Sequence, residues 1–147
     1  MNIAIGSDHR GFNLKNELIE HLKAKGYIVK DFGSFTPDSV DYPDYTKLVG
    51  ASVSSGESDY GVLMCGSGIG VSIAANKSKG IRAVNACSPE IARMSRLHNN
   101  ANVICFGADF IKFDEAVLSL EAFLNTEFEG GRHQRRVEKI SEIENNK

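Results

Sequence analysis

The stretch "YGVLMCGSGIGVS", Tyr60 to Ser72, runs from an apolar segment into three glycines at alternate positions, and a strand, a tight turn and a helix start account for all of it. Val62, Leu63 and Met64 are continuous apolar residues, the pattern of a parallel strand covered on both faces. Gly66, Gly68 and Gly70 then let the backbone turn sharply and approach a small ligand closely. The free N–H groups at such a helix start form a nest for negative charge, so the segment can cradle an oxyanion.

Strand followed by helix is the repeating unit of a parallel sheet, and the alternation continues in both directions. Short apolar or β-branched runs at 2–6, 27–32, 60–65, 81–86 and 102–106 predict five strands. Between the first two, Leu14, Leu18, Ile19 and Leu22 share one helix face, and Gly26 stands where a C-terminal cap belongs. Tyr45, Leu48, Val49 and Val53 form a second stripe between Pro43 and Gly56. "SPEIARMSRLH" opens another helix with Ser88 as N-cap, Pro89 in the first turn and Glu90 set against the dipole. Ala116, Val117, Leu120, Phe123 and Leu124 make the next. The prediction is an α/β chain, a three-layer αβα Rossmann-like fold on a five-stranded parallel sheet.

After Gly130 and Gly131, "RHQRRVEKISEIENNK" carries only Val137, Ile140 and Ile143 as an apolar seam amid charge. It predicts an extended C-terminal helix over about 132–145 that completes its burial on a second subunit; a solvated tail is the alternative.

With 147 residues, 41% of them hydrophobic, the chain suits one domain spanning 1–147. A net charge of -2 argues against nucleic acid as a partner. No apolar run nears the roughly 20 residues that cross a bilayer, and "MNIAIGSD" is too short for a signal peptide, so no membrane partner and a cytoplasmic location are expected. Cys65, Cys87 and Cys105 contain no CxxC pair, and His9, His21, His98 and His133 lack i, i+4 or HExxH spacing, so no metal is expected.

Ligands of open parallel sheets bind at the carboxyl ends of the strands. Strand ends read "GSDHRG", "CGSGIG" and "NACSPE", and the helix after the fourth strand ends in "RLHNNAN". Asp8, His9, Cys65, Ser67, His98 and Asn99 are therefore expected to converge on one rim. The glycines do not make a dinucleotide site: Val71 stands where the third glycine of GxGxxG belongs, and no acid follows about twenty residues on. No GK[ST] closes a phosphate loop, and no arginine ends it as a cysteine phosphatase would need. No cofactor is expected.

The residues alone leave Cys65 open between a small buried hydrophobe and a thiolate favoured by the field beside it, with Ser67 adding a hydroxyl donor. His98, in the last turn of its helix, suits either proton donation or carbonyl capping. Asp8 and His9 suit either the first helix start or a ligand. Arg132, His133, Arg135 and Arg136 match a phosphate geometrically, though among Glu138, Glu142 and Glu144 they also suit a solvated face.

Taken together, "IAIGSDHRGFNLK", "DYGVLMCGSGIGVSIAANKSKGIRA", "ARMSRLHNNANV" and "GGRHQRRVEKI" resemble the ribose-5-phosphate isomerase B and lactose-operon sugar-phosphate isomerase family in the same order along nearly the whole chain. The resemblance implies a cofactor-independent aldose-ketose isomerase that interconverts ribose 5-phosphate and ribulose 5-phosphate through an enediolate, in the non-oxidative pentose phosphate pathway. It implies Cys65 as the base, the backbone of Gly66, Ser67, Gly68, Ile69 and Gly70 as the enediolate hole, and His98 with Asp8 as the groups that open the furanose ring. Asn99 would bind the sugar, and His9, Arg132 and Arg136 the phosphate. A homodimer or tetramer is implied, with the arginines of the terminal helix reaching into the neighbour's site. Ten residues after Asn99 many members carry an arginine that helps hold the substrate, whereas this chain has Asp109 in "GADFIKF". A hexose 6-phosphate isomerase and a non-catalytic sugar-phosphate-binding module are the alternative functions.

Overall fold

A computed structural model describes residues 1–146. Its strands are β1 (Asn2–Ser7), β2 (Ile28–Asp31), β3 (Tyr60–Cys65), β4 (Ala83–Asn85) and β5 (Val103–Gly107), all parallel, in the order β2-β1-β3-β5-β4. Helices α1 (Phe12–Ala24), α2 (Tyr42–Ser54), α3 (Ile69–Ala75), α4 (Pro89–Asn99) and α5 (Phe113–Leu124) connect them, and α6 (Arg132–Asn145) follows.

Alternation along each strand divides the core in two. Ile3, Ile5, Val62, Met64, Ile104 and Phe106 point to one face and pack under Leu18 and Leu22 of α1, Ala92 of α4 and Leu120 and Phe123 of α5. Ala4, Leu63, Cys65, Val103 and Cys105 point to the other, under Val49 of α2 and Val71 and Ala75 of α3. This is the expected three-layer arrangement. Phe106, Phe123 and Leu120 are fully buried, and each such side chain stabilises the fold by roughly 1.5–3 kcal/mol of transferred apolar surface.

Continuous burial holds only for the central strands β1, β3 and β5; β2 and β4 are edges, half exposed. The fourth strand is accordingly three residues, shorter than the run at 81–86, because Ile81 packs beneath α2 and α3 before pairing begins. Its free edge is covered by Asn76, whose side-chain amide donates to the Ala83 carbonyl (2.9 Å) and whose Oδ1 accepts from Ala83 N–H (2.8 Å). Ser88 caps α4 as read, its Oγ accepting from Ile91 N–H at 3.3 Å. In α6, His133 and Val137 are buried against the rest of the chain, while Ile140 and Ile143 are 44% and 64% exposed, so the apolar seam is only half used within one chain. No helix among the described residues is long and apolar enough to cross a membrane.

Candidate active site

Cys65 ends β3 and is nearly buried, beside Gly107 of β5. The chain turns there, and Gly68 N–H donates back to Cys65 Sγ at 3.2 Å. Gly68 has φ +76°, and a methyl group on it would lie 2.8 Å from Gly107 N, so any side chain would strain the turn and push β5 away. Ser67 Oγ accepts from Ile69 N–H (3.2 Å), and Asn85 Nδ2 holds the Ser67 carbonyl at 3.3 Å. The N–H groups of Gly66 and Ser67 have no hydrogen-bond partner among the described residues. A thiol thus stands against unpaired backbone donors, which is the pairing that proton abstraction beside a carbonyl requires. By contrast Cys105 is wholly enclosed, and burial, with Cys65 as a lesser cause, pushes its thiol strongly up.

The loop after β1 borders the same nest. Asp8 is buried, with its N–H bonded to the Met64 carbonyl and its Oδ1 accepting from Arg10 and Gly11 N–H at 2.9 and 3.1 Å. That oxygen caps the turn into α1. Oδ2 accepts from nothing among the described residues and remains free for a ligand. His9 Nδ1 accepts from Val40 N–H at 3.2 Å, which assigns the ring proton to Nε2 and makes that nitrogen a donor.

His98 and Asn99 are elsewhere, and the expectation of a single rim is corrected. A helix after a parallel strand runs back along it, so α4 ends at the amino edge of the sheet. There Arg82 Nε donates to the Asn99 and Asn100 carbonyls, and Asn102 leads into β5 beside the first residues of β3. Cys65 pairs with Gly107 and Gly61 with Val103, so the two ends lie about 13 Å apart along β5 at the usual rise per residue.

At that amino edge His98 stacks on His133 of α6, with ring centroids 4.1 Å apart and planes 11° from parallel. Glu129 Oε2 is 3.8 Å from Nε2 of both rings, and Glu129 N–H bonds to the Leu97 carbonyl. Burial, then His98, lowers the His133 pKa against the pull of Glu129, with Arg132 and Arg136 adding to the lowering. Both arginines are exposed on the first turns of α6 and form no ion pair among the described residues. The three ligand atoms of His98, Glu129 and His133 lie within 4.8 Å of one another, a proximity that helical spacing of histidines did not disclose. The rings lie nearly parallel, so their in-plane lone pairs do not converge on one point.

The candidate residues of one chain therefore fall into two groups at opposite ends of the sheet. Asp8, His9 and Cys65 to Gly70 sit at the carboxyl end, beside a cavity of about 350 Å³ lined by Ser67, Ile69, Asn85 and Phe110. His98, Asn99, Arg132 and Arg136 sit at the amino end, where Asn99 lines an open cavity of about 500 Å³ together with Ile140 and Ile143. Glu129 and Asn85 were not singled out from sequence as working residues, and His133 was read only as part of the basic cluster with Arg132, Arg135 and Arg136. Glu129 and His133 are four residues apart, but their meeting with His98 depends on how α6 packs against α4, and that of Asn85 with Ser67 on the end of β4 lying beside the turn after β3.

The chain is similar to several proteins of known name and structure. Ribose-5-phosphate isomerase B of Escherichia coli (strain K12) is 47% identical over 142 residues, covering 97% of this chain and 95% of that protein. A structural study of Clostridium thermocellum ribose-5-phosphate isomerase B superposes with a TM-score of 0.98 at 50% identity, covering 99% of both chains. The Mycoplasma genitalium enzyme, crystallised with bound ribulose-5-phosphate, gives 0.95 at 44% identity, covering 99% of this chain and 97% of that one. The Ribose/Galactose Isomerase family model matches residues 3–140, and the chain belongs to that family.

Proposed function

We propose that this chain interconverts D-ribose 5-phosphate and D-ribulose 5-phosphate by moving a proton between C1 and C2 through an enediolate. The observation that carries the reading is Cys65 Sγ held by Gly68 N–H beside the unpaired Gly66 and Ser67 donors. Cys65 takes the C2 proton and returns it to C1, while the turn of Gly66, Ser67, Gly68, Ile69 and Gly70 holds the negative oxygen; the N–H groups of Gly66 and Ser67 are free to donate, and those of Gly68 and Ile69 become so as they leave Cys65 Sγ and Ser67 Oγ. One such donor is generally worth about 3–4 kcal/mol of transition-state stabilisation. Asp8 Oδ2 accepts from a sugar hydroxyl and His9 Nε2–H donates to the phosphate. The family and relatives named for this reaction support the substrate, and its place is the non-oxidative pentose phosphate pathway of the cytoplasm.

His98, Asn99, Arg132 and Arg136 complete the site from a second copy. His98 protonates the ring oxygen to open the furanose, Asn99 holds the sugar, and the arginines bind the phosphate. Two partial sites at opposite ends of one chain suit a two-fold dimer, in which each end meets its counterpart twice. The half-exposed seam of Ile140 and Ile143 supports the same assembly.

The test is incubation with ribose 5-phosphate in deuterium oxide. Wild type is expected to form ribulose 5-phosphate and take up solvent deuterium, and Cys65→Ala to lose both by about 10²–10⁴-fold, the usual range for a removed acid-base group. Binding without exchange would mark a non-catalytic module. A higher kcat/KM for allose or galactose 6-phosphate would move the substrate to hexoses.

A further inference from the structure

Arg10 follows Asp8 and His9, and its side chain turns back across the nest. Its Nε and Nη2 donate to Asp109 Oδ2 at 2.9 and 2.5 Å. Asp109 is itself anchored, its N–H bonded to the Gly66 carbonyl at 3.0 Å. A methyl group on Gly66 would lie 2.8 Å from Asp109 Oδ2 and 2.9 Å from Arg10 Nε, so the ion pair rests directly on the first residue of the nest. A side chain on Gly66 would have to displace the ends of both partners.

Stability does not account for the pair. The Arg10 side chain is 58% exposed and that of Asp109 38%, and ion pairs so open contribute little once salt and side-chain entropy are counted. The geometry instead leaves the guanidinium available: one carboxylate oxygen accepts two of its donors, and Nη1 has no partner among the described residues. A planar cation with free donors, held at fixed height beside an oxyanion nest, suits a ligand rich in oxygen and carrying two negative charges.

We propose that Arg10 is a further substrate-binding residue, whose free N–H groups bond to non-reacting oxygens of the phosphosugar over the nest, and that Asp109 positions it. This rests on the isomerase reading above. Because Arg10 holds oxygens that do not change in the reaction, its contribution is made equally to ground and transition states and registers in KM.

The experiment compares kcat and KM for ribose 5-phosphate, with thermal melts, in wild type, Arg10→Ala, Arg10→Lys, Asp109→Asn and the double variant Arg10→Ala/Asp109→Arg. Arg10→Ala is expected to raise KM about 10- to 100-fold, the value of one hydrogen bond to a charged group, with kcat changed far less. Arg10→Lys, a point charge without the fork, and Asp109→Asn, a weaker anchor, are expected to fall between it and wild type. Adding Asp109→Arg to Arg10→Ala is expected to bring KM back down, since residue 109 reaches the same place from the facing loop although no ion pair can form. An unchanged KM in Arg10→Ala overturns the proposal. So does a raised KM that tracks a lowered melting temperature and is not relieved by Asp109→Arg, which would mark a purely structural ion pair. Calorimetric Kd values for ribose 5-phosphate in Cys65→Ala with and without Arg10→Ala read the same contact with no turnover, so loss of the isomerase reading and loss of the Arg10 contact give different results.

Discussion

Mixing two inactive variants tests whether Cys65 and His98 act on one substrate from different chains. Take Cys65→Ala and His98→Ala, each made separately and each expected to be slower than wild type by about 10²–10⁴-fold as a removed acid-base group. Within one chain the levels of Cys65 and Val103 differ by about 13 Å along β5, and His98 lies beyond Val103 at the far edge. In a heterodimer assembled across a two-fold axis, one site receives the intact Cys65 of one chain and the intact His98 of the other, while the second site receives neither. Random equimolar exchange yields heterodimers as half of all dimers, and each has one working site of two, so about a quarter of wild-type specific activity is expected. Heterodimers purified through two different affinity tags are expected to reach about half. The assay is ribulose 5-phosphate formation after subunit exchange, against each variant alone. Purified heterodimers no more active than the two parents would refute the reasoning, because every site would then lack one group in cis. Replacing His98→Ala by Arg136→Ala in the same mixture tests the phosphate clamp in the same way.

Gly68→Ala is expected to cost roughly 1–3 kcal/mol, since alanine resists the left-handed region and its methyl group would press on Gly107 N and collide with Asn85; denaturant unfolding reads the loss, and kcat/KM is expected to fall with it as the nest distorts. Unchanged unfolding would mean the turn is not held at positive φ. His133 bears on pH. Its folded pKa is lowered by burial and by His98, so below the ordinary histidine value the unfolded chain binds a proton that the folded chain refuses. That part of the stability is present above pH about 6.5 and is lost as the pH falls through it. The melting temperature of wild type is therefore expected to drop more between pH 7.5 and 5.5 than that of His133→Asn, and equal slopes would contradict the assignment.

The layers of the fold were legible because they depend on local pattern. Apolar runs of strand length, helical stripes at three and four residues, and the caps Ser88 and Gly26 are each written within a few neighbouring residues, and the structure carries all of them. What failed at the edges failed for a physical reason: composition marks 81–86 as apolar, but an edge strand pairs on one side only, and the apolar Ile81 is buried under α2 and α3 outside the paired residues of β4. Leu48 shows the same limit, sitting on its helical stripe yet 41% exposed.

Around the site the division is sharper. The nest and the thiol could be read from the sequence, because Cys65, Gly66, Gly68 and Gly70 fall within six residues and their chemistry is a property of one turn. Which end of the sheet each remaining group occupies depends on how the helices pack. His98 follows a strand by one helix, and a helix returning along its strand carries its last turn to the opposite edge, so residues close in sequence to a rim loop are far from it in space. The same holds for Arg10 with Asp109 and for His98 with His133. Each pair is built from connections tens of residues apart, and the packing of α1, α4, α5 and α6 on the sheet sets the distance between them.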